Sequence, residues 1–87
     1  MLERKAKEKI IEKFKVHPTD TGSPQVQIAL LSAEMKDLSE HLRSHKKDFS
    51  SRRGLLRKVN ERRKLLRYLA RENREAYDDI AEKLKLK

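Results

Sequence analysis

Residues 52–74 read RRGLLRKVNERRKLLRYLARENR. Wound as an α-helix at roughly 100° per residue, this stretch separates into two faces. Leu55, Val59, Leu66 and Leu69 share one sector, with Leu56 and Ala70 at its border. Arg53, Arg57, Lys64, Arg67, Tyr68 and Arg71 share a second, about 100° wide, on the flank away from the leucines. Asn60 is the only other member of that flank, and Glu61 and Glu72 fall elsewhere on the wheel. From Arg53 to Arg71 the ladder is roughly 27 Å long at ~1.5 Å per residue. Arg62 and Arg63 lie nearer the leucines, where their stems cover apolar surface while the charged heads reach out. A helix held by one face and carrying cations without interspersed acids on the other is shaped to meet a row of phosphates.

Composition points the same way. The chain has 87 residues, with 23 Lys and Arg against 14 Asp and Glu, a formal net charge of +9. This length makes one small domain, which buries only roughly 60–65% of its unfolded surface. The cationic excess favours a polyanionic partner through counterion release, but does not by itself separate RNA, DNA and anionic membrane. With no cysteine, disulfides and thiolate metal sites are excluded. The longest uninterrupted apolar run, Ile28 to Leu31, is far too short to span a bilayer. Glu3, Arg4, Lys5 and Lys7 follow at once on the first two residues, so no secretory segment is expected and the expected compartment is the cytoplasm.

Working outward, residues 3–16 form a first helix with Ala6, Ile10, Ile11 and Phe14 on one side. Pro18 and Gly22 break the chain, and Ser23 before Pro24 is a hydroxyl cap with proline at the first helical position. Val26, Leu30, Leu31, Met35, Leu38 and Leu42 carry a second helix over 24–45, whose last turn collects His41, Arg43 and His45. A short linker around Lys47 to Ser50 sets the second and third helices antiparallel, with Asp48, Ser50 or Ser51 as the third helix's cap. Gly54 falls in that helix's first turn, at a cost of up to ~1 kcal/mol against alanine. Asn73 caps a short fourth helix holding Tyr77, Ile80, Ala81 and Leu84. No stretch alternates like a strand, so the fold class is all-α.

Each candidate site has a plainer reading beside it. Tyr68 either stacks on a base or sugar or packs against the first helix. Asp20-Thr21-Gly22 is a turn by composition, yet a polar turn at a helix N-terminus is also where backbone N–H groups meet phosphate, and Gln27 adds a donor and an acceptor there. Asp48 either caps a helix or, as an acceptor-only carboxylate, takes a hydrogen bond from a guanine amino group or ribose hydroxyl. His41 and His45 have metal-ligand spacing, but Asp48 would have to fold back as a third ligand, so no metal is expected. No nucleophile–base pair or glycine-rich phosphate loop occurs, and neither catalysis nor a cofactor is expected.

Three long motifs, DTGSPQVQIALL, HKKDFSSRRGLL and ERRKLLRYL, resemble the S-fifteen family of bacterial small-subunit ribosomal proteins, over essentially the whole chain and in order. The resemblance implies four helices, an antiparallel three-helix core with a more loosely attached N-terminal helix, monomeric when free. It implies a structural constituent of the small subunit that binds ribosomal RNA at a three-way junction of the central domain and organises it for platform assembly. Thr21, Gly22, Gln27, Lys64, Tyr68 and Arg71 stand at the junction-binding positions, though Lys64 replaces a frequent arginine. His41, His45, Asp48 and Ser51 stand at the set that reads a minor groove with adjacent G-U and G-C pairs, and Arg53, Arg57 and Arg67 supply phosphate contacts. Implied partners are small-subunit ribosomal RNA, neighbouring platform proteins, large-subunit RNA at an intersubunit bridge, and for some members their own messenger RNA. The chain departs from the pattern at Glu34, an acid where a base or amide is common, and at Phe49, Ser50 and Asn60. A DNA-bending protein and a coiled-coil module are the rival classes, the first sharing the charge and the second the leucine spacing.

Overall fold

In the computed structural model, residues 3–18 and 22–85 are described, and among them the secondary structure is helical throughout. The elements are α1 (Arg4–Phe14), α2 (Pro24–Ser44), α3 (Phe49–Glu72) and α4 (Arg74–Lys83). Each boundary after α1 has a local cause. Ser23 Oγ accepts from the Val26 amide at 3.3 Å and Pro24 takes the first helical position. Asp48 caps α3, its Oδ1 accepting from the Ser51 amide at 3.1 Å. Asn73 does double duty: its N–H closes α3 on the Leu69 carbonyl at 2.8 Å, while its Oδ1 opens α4 by accepting from Ala76 at 3.1 Å. Of the three residues that could cap this helix, Asp48 does so; α3 therefore begins at Phe49, and Gly54 sits in the second turn rather than the first.

The core is concentrated at one end. Val26, Ile28 and Ala29 of α2 meet Phe14 of α1, Leu69 of α3 and Ile80 of α4 in one buried cluster. Ile28 and Val26 are wholly inaccessible to solvent. Ile28 shares the row of Leu31, Met35, Leu38 and Leu42, whereas Val26 and Ala29 lie on another side, and all three are buried because α2 is covered from more than one side. Helix α1 docks through Ile10, Ile11 and Phe14, its C-terminal half, whereas its first turns are exposed apart from the half-buried Ala6.

Helix α3, about 36 Å long at ~1.5 Å per residue, outruns this cluster. Before Leu69 it buries no residue completely, so towards its N-terminus it pairs with α2 alone. Two polar bridges join the helices midway. Lys58 Nζ meets Glu34 Oε2 at 3.2 Å, and Arg62 Nη1 donates to Ser32 Oγ at 3.1 Å. Partners advance along α3 as they retreat along α2, which makes the pair antiparallel. The longest dimension of the molecule, 40 Å, is that of this hairpin.

The Lys58–Glu34 pair keeps only 22% and 19% of its side-chain exposure. Removing one partner of a fully desolvated pair costs roughly 3–5 kcal/mol, and of a surface pair at most about 1. We expect Glu34→Ala to destabilise the fold by about 2 kcal/mol in urea unfolding, with no such loss in the Glu34→Met, Lys58→Met double variant. Gly54 has open space where a Cβ would stand and no positive φ. Gly54→Ala should therefore stabilise by about 0.5–1 kcal/mol, read in the same titration.

Candidate nucleic-acid interface

The buried arc of α3 runs through Gly54, Leu55, Lys58, Val59, Arg62, Leu65, Leu66, Leu69 and Ala70, all shielded at least in part. Diametrically opposite lie Arg53, Arg57, Lys64, Arg67, Tyr68 and Arg71, every one exposed. Burying one face thus fixes the direction in which the ladder points. Arg53, Arg57, Lys64 and Arg67 form no ion pair with any described residue, so their charge is not spent internally. Arg71 does pair, with Glu72 at 3.1 Å, an exposed contact of small worth. Tyr68 remains 48% exposed and its ring lies 5.8 Å from the Arg71 guanidinium, a cation–π approach that leaves the ring open to a stacking partner. Of its two sequence readings, packing against α1 is the weaker: Tyr68 is not part of the core that α1 enters.

At the broad end, Gln27 Nε2 donates to the Gly22 carbonyl at 2.7 Å, tying the loop to the first turn of α2. Gln27 and Lys64 line one groove between α2 and α3, so these two candidates share a surface. Thr21 lies outside the described residues, as do Thr19 and Asp20.

The opposite tip gathers the second set. Asp48 Oδ2 accepts from Ser51 Oγ at 2.6 Å and from His41 Nε2 at 2.8 Å. The two readings of Asp48 as cap and as polar corner are therefore joined in one side chain. Its carboxyl is held well below the usual carboxylate range, first by the Ser51 hydroxyl, then by the Ser51 amide and the His41 hydrogen bond, with burial opposing. Because Ser51 spends its proton on Asp48, the hydroxyl lone pairs are left to accept. The corner consequently presents acceptors, the complement of a guanine amino group. His45 stacks on His41 with centroids 4.3 Å apart and planes 4° from parallel, bracing the ring from behind. Its Nδ1 is 3.2 Å from the His41 carbonyl oxygen. Among the described residues no cluster of three His, Cys, Asp or Glu side chains could hold a metal ion.

Sequence reasoning missed the residues that lock the two helices together: Lys58, Glu34 and Ser32. Glu34 stood out as an acid on the junction surface, yet its charge is met by Lys58. Leu56, placed at the edge of the apolar sector, is instead 60% exposed. Arg62 is half-buried, but its head, expected to reach out, is instead bonded to Ser32 of α2.

Since the folded Asp48 carboxylate takes up a proton less readily than the unfolded one, its contribution is complete above roughly pH 4 and is lost as pH falls through the folded value. Asp48→Asn should be less stable than the parent at pH 7, and the difference should shrink progressively below about pH 4 in urea titrations.

The chain matches the family model for ribosomal protein S15 over residues 7–87. It is 55% identical over 87 residues, all of this chain and 99% of the relative, to the small ribosomal subunit protein uS15 of Thermoanaerobacter sp. (strain X514). The uS15 protein of Caldanaerobacter subterraneus subsp. tengcongensis is as similar, 55% over 87 residues. That of Fervidobacterium nodosum is 53% identical over 81 residues, 93% of this chain and 96% of the relative. These relatives are structural proteins of the ribosome rather than enzymes. An exposed cation ladder, a preset polar corner and full-length similarity agree: the chain belongs to the ribosomal protein S15 family of the small ribosomal subunit.

Proposed function

We propose that this chain is a primary binder of small-subunit ribosomal RNA in the cytoplasmic ribosome, gripping a three-way junction of the central domain and arranging its arms for platform assembly. Gly22, Gln27, Lys64, Tyr68 and Arg71, with Thr21, hold the junction at the broad end. His41, His45, Asp48 and Ser51 read a minor groove at the tip, and Arg53, Arg57 and Arg67 meet phosphates between. The observation that carries this reading is the separation of the two sets on one hairpin: unspent cations along α3 and an acceptor corner at its start.

Charge supplies affinity without selectivity, whereas the corner and the fixed span supply selectivity. A wide, shallow RNA minor groove admits short side chains such as Ser51 and His41, and the amino group of guanine is the donor it displays. In the same reading the chain stands beside other platform proteins, contacts large-subunit RNA at an intersubunit bridge, and binds its own messenger RNA when ribosomal RNA is short.

Binding of a branched ribosomal RNA fragment, with duplex DNA of equal length as competitor, tests this. The folded RNA should win at physiological salt; equal affinity for DNA would contradict the reading. If the ladder neutralises about five phosphates, log Kd should change with log salt at a slope of magnitude roughly 4. Asp48→Ala should weaken binding to the arm carrying G-U and G-C pairs, while Lys85→Ala should leave it nearly unchanged. Equal losses from both would remove the corner from the interface.

A further inference from the structure

We propose that the groove between α2 and α3 at the broad end is a binding site for an unstacked guanine base of the bound RNA, with Glu61 as the residue that selects it. This rests on the RNA-binding reading above and deepens it. The groove is open to solvent along one side and spans about 450 Å³, room for a single base against its floor. Leu30, Leu31 and Leu65 form an apolar floor for the face of a base, and Gln27, Glu61 and Lys64 form the rim.

Glu61 is the observation that needs a partner. It is the sole acid of α3 before Glu72, on the most basic helix of the molecule. Arg57, Lys58 and Lys64 all lie three or four residues from it, the spacing at which helical ion pairs form. None of them pairs with it: Lys58 turns to Glu34, and Glu61 makes no ion pair with any described residue. A free carboxylate facing a phosphate-rich ligand is repulsive unless it accepts hydrogen bonds from that ligand.

Guanine is the base that offers what two carboxylate oxygens accept. Its N1–H and N2 amino group lie side by side and meet a carboxylate in a bidentate pair. Adenine and cytosine place a ring acceptor beside their amino group, which repels one oxygen. Uracil has a single N–H between two carbonyls. Lys64, on the same rim, meets the nucleotide's phosphate as a point charge. Gln27 gives one Nε2–H to Gly22 and keeps a second, a donor suited to guanine O6. Glu34, the other acid at this groove, is already engaged by Lys58.

The test is a titration of the isotope-labelled full chain with guanosine, adenosine, cytidine and uridine 5′-monophosphates, followed by amide and methyl resonances. Guanosine monophosphate should shift Glu61, Lys64 and the methyls of Leu30, Leu31 and Leu65, binding about tenfold more tightly than the other three. Glu61→Gln should bring that preference to near unity while leaving the Lys64 response to phosphate. Shifts confined to Lys64 and the arginines, alike for all four nucleotides, would overturn the proposal, as would a preference that survives Glu61→Gln. Affinity for the branched RNA fragment is measured alongside. If the fragment binds but the nucleotides are not distinguished, the guanine site fails alone; if the fragment does not bind, the RNA reading fails with it.

Discussion

Beyond the end where four helices meet, α2 and α3 have only each other to pack against. Two helices side by side bury too little to define their own rotation and register, since apolar contact is non-directional. The structure resolves this with groups that are directional. Lys58 reaches Glu34 and Arg62 reaches Ser32 midway along the arm, and His41 reaches Asp48 at its tip. A sliding of one helix past the other would break all three, and the Lys58–Glu34 pair is shielded enough that breaking it is costly. Polar bridges here set geometry more than they add stability.

That geometry has a functional meaning because charge and shape are divided along the same arm. One side of α3 is committed to α2, so the opposite side can carry Arg53, Arg57, Lys64 and Arg67 without internal partners. The ladder is long-range and tolerant of position, the corner short-range and exacting. Asp48 makes the corner exacting by holding the Ser51 hydroxyl and the His41 ring in place before any ligand arrives. Preset acceptors lose little freedom on binding, which is how a small surface becomes selective.

Much of this was legible in the residues. Helical periodicity gave four helices, Ser23-Pro24 and Asn73 marked two starts, and the cation flank of α3 faces out as the wheel required. What escaped depends on contacts between helices. Three residues could cap α3, and Asp48 was selected because His41, seven residues earlier on another helix, also binds it. Lys58 and Glu34 are ordinary charged residues until the hairpin brings them within 3.2 Å. Ile28 continues the row of Leu31, Met35, Leu38 and Leu42, whereas Val26 and Ala29 lie on another side of α2 and are buried too; the unbroken run from Ile28 to Leu31 was the available sign that this helix is covered on more than one side. Leu56 shows the converse, a leucine the wheel puts beside the core that the short partner helices leave uncovered. The junction positions and the minor-groove set came from resemblance, and spacing alone would not have separated them from a capped turn and a helix end.

The central claim is that a stiff hairpin holds two RNA contacts at a set distance. Its most direct measurement is the affinity of the chain for a series of branched RNA fragments in which base pairs are inserted, one at a time, between the junction and the G-U and G-C arm. A stiff span predicts a steep loss on the first insertions, down to the affinity of a fragment with the minor-groove site destroyed, and no further loss from Asp48→Ala on the lengthened RNAs. Affinity that ignored the insertions, or an Asp48→Ala effect that persisted unchanged through the series, would contradict it.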